Sequence, residues 1–346
     1  MKGVILAGGE GTRLRPLTTH IPKPLINIAG KPCIGYVIES LLSANINDII
    51  ITTGYLSDKL MKGIAINDFK SASILYSFEG TPKGTAGAVK ILEDYLDSTF
   101  IVASGDVLSK INVNEFLKFH RSKEADITIA LTEVKNPEEY GIVELDSDNV
   151  IVKFKEKPKK EEQFSNLINT GIYIIEPRVL KEIPASKPFD FSKQLFPELL
   201  RKKYRLYGWK MLSDLWRDIG RPEDLLKATF DILDKDNHAN AGKRDRVKLE
   251  SIIGEPVYIG NNVNIMNTVK IVKSAIYDDV AIDERSSIEN SIIFYRAKVG
   301  EDAVIESSII AEDCLVENNA VIKNSVIGNG ITIKKGSIIN NARISS

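Results

Sequence analysis

A mainly parallel α/β domain followed by a parallel β-helix is the fold this sequence predicts, and two patterns predict it. Up to about residue 233, short apolar runs alternate with helix-like segments, which is how βαβ units read in a sequence. From about residue 251, aliphatic residues recur at a longer period that suits neither an α-helix nor an alternating strand. The expected boundaries are 1–234 for the first domain, 235–250 for a linker and 251–346 for the β-helix.

The elements follow in order. Apolar runs at Val4–Leu6, Ile49–Thr53, Phe100–Ala103, Ile127–Leu131 and Gly171–Ile175 read as strands. Between them Cys33–Ala44, Ala86–Tyr95 and Val113–Arg121 read as helices. A last helix starts at Pro222, with Glu223 and Asp224 in its first turn, and runs toward Leu233. Proline is tolerated there because its missing N–H has no helical partner, and the acids suit the positive helix end. The polar stretch DKDNHANAGKRDR that follows reads as a linker.

After the linker, steps of six, six and five residues from Ile259 land on Ile265, Ile271, Ile276, Ile282 and onward to Ile344, and every position reached is Ile or Val. Positions two residues earlier are mostly small, for example Ser274, Ser291, Ala303, Cys314 and Ser325. Three short strands per coil, each sending one aliphatic side chain inward, produce this spacing, and small residues fit the corners. An antiparallel sandwich has no reason to keep it. The pattern resembles the hexapeptide-repeat family of left-handed parallel β-helices, with one hexad per coil shortened by a residue. Many such domains are acyltransferases that use a histidine base, but His20, His120 and His238 are the only histidines and none lies in the repeat. His20 and His120 are expected to be structural. The last coil is uncovered in the sequence, so the β-helix is expected to mediate oligomerisation.

Composition narrows the function classes. The net charge of −1 offers no bulk attraction to nucleic acid or anionic lipid. Cys33 and Cys314 stand far apart in the sequence, which fits a reducing compartment with no disulfide framework and no zinc-ligand cluster. No stretch has the length of a membrane span or signal peptide, so the expected location is the cytoplasm.

The most informative stretch is ILAGGEGTRLRPLTTHIPKPL, residues 5–25. Leu14 stands where a dinucleotide fingerprint needs its third glycine, and the Gly-Lys-Ser/Thr ending of a P-loop is missing. Pro16, Pro22 and Pro24 disfavour a regular helix, so a loop is expected from about Ala7 to Lys31. Its glycines allow close backbone approach to a ligand, and Arg13, Arg15 and Lys23 bring cationic heads to the same place. That combination suits a polyphosphate.

These residues carry a second resemblance. LAGGEGTRLRPLT followed by PKPL is similar to the motif of the sugar-1-phosphate nucleotidyltransferases, and so, in order, are GTAGA (84–88), SGDV (104–107), YGIVE (140–144), EKP (156–158), NTGIY (169–173) and WRDIGRPEDLLKA (216–228). The resemblance covers the first domain and implies a Rossmann-like nucleotidyltransferase fold. It implies attack by a sugar-1-phosphate oxygen on the α-phosphorus of a nucleoside triphosphate, with release of pyrophosphate. By the same resemblance, Arg13 and Lys23 bind the triphosphate and the reacting phosphate. Leu6, Ala7, Gly8, Gly9, Gly11, Thr12, Gly84 and Thr85 wrap the nucleotide. Asp106 and Asp218 are the catalytic carboxylates that hold Mg²⁺, a hard ion suited to oxygen ligands. Lys157 meets the sugar phosphate, and Glu156, Asn169 and Gly141 meet the sugar hydroxyls.

Base choice is read at FEGTPKGTAGA. Thymidylyl- and uridylyltransferases tend to present Gln there, whereas this chain has Glu79. An ionised carboxylate only accepts hydrogen bonds. Guanine offers two adjacent donors, so GTP is favoured, and FSKQLFPELL with WRDIG resembles the mannose-1-phosphate guanylyltransferases. A base read by the backbone, with Glu79 facing solvent, stays open. So do a glucose-1-phosphate thymidylyl- or uridylyltransferase and a non-catalytic regulatory subunit.

Overall fold

The computed structural model describes residues 1–67, 69–211, 215–235 and 251–345. Its contacts divide the chain into two compact units. One comprises Met1–Gly9 with Cys33–Trp216, and the other Glu10–Pro32 with Arg217–Ser346. The basic, proline-rich loop therefore groups with the C-terminal part of the chain rather than with the sheet that precedes it. The expected linker lies outside the described residues from 236 to 250.

The first unit is built on a mixed, mainly parallel sheet. Its strands run in the order Ile151–Glu156, Gly141–Leu145, Leu167–Ile175, Phe100–Ser104, Gly3–Leu6, Asp48–Thr53 and Ser73–Phe78. Gly3–Leu6 is central and parallel to both neighbours, with Leu6 opposite Thr52 on one side and Ser104 on the other. Its Val4 and Ile5 are fully buried, as a strand covered on both faces requires. Ile127–Glu133 pairs with Leu167–Ile175 and carries Leu206–Lys210 at its other edge.

The helices are α1 (Cys33–Leu42), α2 (Ser57–Ile66), α3 (Gly84–Lys90), α4 (Val113–Ser122) and α5 (Phe196–Arg201). Asn112 caps α4 by accepting from the Glu115 N–H at 3.2 Å. The expected helix at Ala86–Tyr95 ends earlier, at Lys90, and a separate 3₁₀ turn covers Glu93–Tyr95. The five apolar runs are all strands, and Leu167–Ile175 begins before the run at Gly171 because Thr170 and Leu167 are buried as well.

The second unit contains helix α6 (Pro222–Lys235), the loop and three parallel sheets of six, six and five short strands. Equivalent strands pair at a spacing of seventeen residues, as the Ser308 N–H donates to the Ser291 hydroxyl one coil back. The aliphatic series points inward: Ile265, Ile271, Ile276, Ile282, Ile288 and Ile305 are all fully buried. The small residues in the corners do more than fit. Ser274, Ser291, Ser308 and Ser325 form a ladder in which each hydroxyl accepts from the backbone N–H of the next coil at 3.0–3.1 Å. Each of these hydroxyls also donates to the carbonyl two residues earlier, so the buried corner has both its donor and its acceptor satisfied.

The loop is more structured than its prolines suggest. Two 3₁₀ turns, Thr12–Leu14 and Lys23–Leu25, and a hairpin of Asn27–Ile28 with Lys31–Pro32 interrupt it. Single turns need few backbone donors, so they coexist with proline where an α-helix does not. Among the described residues, no helix is long and apolar enough to cross a membrane.

Candidate functional site

In the first unit, the chain leaves the sheet after Leu6 with its backbone held on both sides. The Ala7 N–H donates to the Thr52 carbonyl at 3.0 Å, and the Gly105 N–H donates to the Leu6 carbonyl at 2.9 Å. Gly8 then passes the end of the neighbouring strand. A Cβ at Gly8 would lie 3.3 Å from Glu79 Oε1, so glycine brings the backbone against this carboxylate. No heavy atom lies within 4 Å of where a Cβ on Gly9 would be.

Glu79 is half-buried, and its own N–H donates to the Thr53 carbonyl at 2.9 Å. Its Oε2 accepts from the Lys83 N–H at 3.1 Å. Burial raises its pKa, and the Lys83 N–H and ammonium oppose that rise. Lys83 precedes Gly84, whose φ of +74° is open to glycine and strained for other residues. A Cβ at Gly84 would lie 2.7 Å from the Phe189 carbonyl oxygen. Thr85 is tied to Asp190, whose carboxylate accepts from both its N–H (3.1 Å) and its hydroxyl (3.2 Å). Asp106 lies in the two-residue turn between the strands Phe100–Ser104 and Val107–Ser109, directly after the carboxyl end of the first.

The residues expected to meet the sugar gather on neighbouring strands. Gly141 faces Glu156 across an antiparallel pair, and a Cβ on Gly141 would lie 2.8 Å from Glu156 Oε2. Burial raises the Glu156 pKa, with Lys157 and Lys193 acting in the other direction. Lys157 has a φ of 44°, a left-handed conformation uncommon for a long side chain, and its N–H donates to the Tyr140 carbonyl at 2.9 Å. The Asn169 amide donates to the Tyr173 hydroxyl and the Ser192 hydroxyl at 3.0 Å each, while its oxygen accepts from the Gly171 N–H at 2.9 Å.

Sequence reasoning missed Tyr173, Ser192 and Asp190. Tyr173 is buried and its pKa is pushed up by that burial. Ser192 lies in a π-helical turn, Phe191–Leu195, a rare form that often marks functional positions. The only signal for it was the string FSKQLFPELL, taken whole.

In the second unit, Gly11 adopts φ 63° and opens the first 3₁₀ turn, which contains Thr12. A Cβ on Gly11 would come within 3.0 Å of Lys23 Cβ, so the two ends of the loop pack together at this glycine. The buried Thr18 hydroxyl donates to the Gly11 carbonyl at 2.8 Å. Lys23 is only 7% exposed, and its ammonium lies 3.2 Å from Asp218 Oδ1. Arg13 Nη2 stands 3.6 Å from the other oxygen, Oδ2. Two cations thus share one carboxylate, and a Cβ at Gly220 would lie 3.1 Å from both Arg13 Nη2 and Asp218 Oδ2. Arg15 instead turns to the exposed Glu10 at 3.6 Å.

Lys23, Arg13 and Asp218 thus form one cluster of two cations around a single carboxylate. Among the described residues, no group of three or more His, Cys, Asp or Glu side chains forms a metal cage. Asp106 in the first unit and Asp218 in the second each offer carboxylate oxygen, the kind of donor a hard ion takes.

Residues 2–235 match the model of the nucleotidyl transferase family, and residues 278–346 match that of the GMPPB C-terminal domain. A UTP–glucose-1-phosphate uridylyltransferase of Synechocystis is 33% identical, over 85% of this chain and 83% of that protein. A mannose-1-phosphate guanyltransferase of Yarrowia lipolytica is 36% identical, over 78% of this chain and 73% of that protein. The crystal structure of HddC from Yersinia pseudotuberculosis complexed with GMP-PN superposes with a TM-score of 0.57 at 30% identity, covering 67% of this chain and 99% of that one. With its first family match spanning more than half of its length, the chain belongs to the nucleotidyl transferase family and is an enzyme of that kind.

Proposed function

We propose that this sugar-1-phosphate nucleotidyltransferase joins GTP and mannose-1-phosphate into GDP-mannose and pyrophosphate. One observation carries the choice of base: the acceptor-only Glu79 lies against the Gly8 backbone with one carboxylate oxygen already committed to Lys83. Two adjacent donors on guanine suit such a group, whereas the carbonyls flanking the single N–H of uracil or thymine are repelled by it. The likeness to the Yarrowia guanyltransferase supports the same choice.

In this reading a phosphate oxygen of the sugar phosphate attacks the α-phosphorus, the bond to the bridging oxygen breaks, and pyrophosphate leaves. No covalent enzyme intermediate is needed. Arg13 and Lys23 neutralise the triphosphate and the charge that develops on it. Gly8, Gly9, Gly11 and Thr12 offer backbone N–H groups to the nucleotide, helped by Leu6, Ala7, Gly84 and Thr85. Glu156, Asn169 and Gly141 orient the sugar, and Lys157 holds its phosphate. Asp106 and Asp218 are the residues that would hold Mg²⁺, which supplies further neutralisation of the phosphates when bound.

A second reading, a glucose-1-phosphate uridylyl- or thymidylyltransferase, is favoured by the Synechocystis relative. Pyrophosphate release from each common nucleoside triphosphate with mannose- or glucose-1-phosphate decides between them, with Asp218→Ala as the inactive control. Faster turnover of a pyrimidine nucleotide overturns the GTP assignment, and an active control removes Asp218 from the chemistry.

Self-association through the β-helix is part of the proposal. The strand Ile338–Asn340 ends its sheet with one edge unpaired among the described residues, and Ile338 is 80% exposed. Light scattering on the full chain checks this, and a monomeric mass refutes it.

A further inference from the structure

We propose that Arg343, on the β-helix, is a positioning residue for the reaction: it holds the backbone carbonyl of Arg13 and so sets where the Arg13 guanidinium lies. The inference rests on the reading above that Arg13 acts on the triphosphate.

The reason begins with the local sequence. In the 3₁₀ turn Thr12–Leu14, each carbonyl takes the N–H three residues on. The Leu14 N–H donates to Gly11 at 3.0 Å, and the Arg15 N–H donates to Thr12 at 3.2 Å. The next bond in this series would run from residue 16 to the Arg13 carbonyl, but residue 16 is proline and has no N–H to give. The chain supplies a donor from elsewhere instead: Arg343 Nη1 donates to the Arg13 carbonyl at 3.2 Å. Its other terminal nitrogen, Nη2, reaches Glu223 in the first turn of α6 at 3.3 Å, which fixes the plane of the guanidinium. Arg343 itself is set by the coil below, where it pairs in register with Val326.

The surrounding packing makes this bond part of a seat. Gly328, on the same face of the β-helix, lies so close to the loop that a Cβ would stand 3.1 Å from the Pro16 ring. At the far end of the loop, Asn27 Nδ2 donates to the Tyr295 hydroxyl at 2.5 Å. Gly30, at φ +88°, leaves no room for a Cβ, which would lie 2.6 Å from the Tyr258 ring. The loop is therefore gripped by the β-helix at both ends, with Lys23 and Arg13 between them facing Asp218. A cationic side chain carried on a loop reaches a phosphate only as accurately as its backbone is held, and small displacements of positioned groups are costly in rate.

The test uses the full chain and two readouts. Amide hydrogen exchange without nucleotide is measured over residues 11–19 in wild type, Arg343→Ala, Arg343→Lys and, as a control, Arg285→Ala. Arg285 pairs with Asp302 and Glu301 on the exposed face of the β-helix and makes no described contact with the loop. Steady-state pyrophosphate release with GTP and mannose-1-phosphate gives kcat and KM for the same proteins. Arg343→Ala is expected to speed exchange at Leu14 and Leu17 and to lower kcat about tenfold, with a smaller change in sugar-phosphate KM. Arg343→Lys, which keeps one donor, should recover part of both effects, and Arg285→Ala should match wild type. Unchanged exchange over 11–19 in Arg343→Ala overturns the proposal whatever the activity. Faster exchange with wild-type kcat and KM overturns it too, because the loop would then be held for no catalytic purpose. An inactive wild type sinks the assignment of substrates, and the exchange readout still decides whether Arg343 holds the loop. If Arg343→Ala does not fold, Arg343→Lys carries both readouts.

Discussion

Replacing Glu79 by glutamine is expected to turn an acceptor toward the base into a donor, and the direction follows from one hydrogen bond. Glu79 Oε2 accepts from the Lys83 N–H at 3.1 Å. An amide nitrogen cannot accept, so in Glu79→Gln the carbonyl oxygen must take that position. The NH₂ group then occupies the place of Oε1, beside Gly8. A guanine donor that met a carboxylate now meets another donor. At least one charge-assisted hydrogen bond is lost, about 1.5–3 kcal/mol, or roughly 10- to 150-fold in kcat/KM for GTP. Uracil carbonyls lose a repulsive neighbour at the same time, so the GTP-to-UTP ratio falls by at least this factor.

The assay is pyrophosphate release with both nucleotides in competition, so that folding and active fraction cancel. A ratio that changes less than twofold refutes the assignment of Glu79 to the base. The pH dependence offers a second check on the same residue. Burial raises the Glu79 pKa, so the carboxylate that discriminates is present above that raised value and is lost as pH falls through it. The wild-type ratio should decline on acidification, and the Glu79→Gln ratio should stay flat over the same range.

Three further outcomes follow from the structure. Asp218→Asn keeps the side-chain shape but removes the charge shared by Lys23 and Arg13; kcat should fall about 100-fold or more, and chemical denaturation should show a loss of about 1–3 kcal/mol because the Lys23 ammonium, 7% exposed, keeps no counter-charge at Asp218. Ile305→Ala, in the fully buried column of the β-helix, should cost about 2–5 kcal/mol in urea unfolding, and a loss below about 1 kcal/mol would show that this column is not a packed core. His120 is buried between the Thr128 hydroxyl at 2.7 Å and Glu176 at 3.2 Å, and burial lowers its pKa against the pull of Glu176. Its neutral form therefore supports the fold fully above the unfolded value of about 6.5, and this support is lost as pH falls below it. The urea midpoint of His120→Gln should vary less between pH 6.5 and 5 than that of wild type.

Much of this was legible in the sequence because it depends on periodicity and on local backbone chemistry. The aliphatic series from Ile259 to Ile344 had to face one axis, since no other placement buries so many of its members, and fourteen of those side chains, up to Ile333, are buried while Ile339 and Ile344 in the last coil are partly so. Val4–Leu6 and Phe100–Ala103 had to be inner strands because they carry no polar face. The glycine and proline content of residues 5–25 marked a loop rather than a helix, and the two short turns and the hairpin there agree. Other features were out of reach. The end of α3 at Lys90 depends on packing around Leu92 and Leu96 rather than on any breaker residue. Nothing near Asn169 in sequence points to Ser192, twenty-three residues away.

By itself the sequence determined the two architectures and the kinds of side chain carried by the loops, because burial patterns and donor or acceptor character are properties of residues in order along a chain. Tertiary structure alone decided which of those side chains are held by others: Lys23 and Arg13 on Asp218, Glu79 on Lys83, the Arg13 carbonyl on Arg343. Each is a contact between groups brought together by the fold, and hydrogen bonds and ion pairs act over a few ångströms of space whatever the separation along the chain.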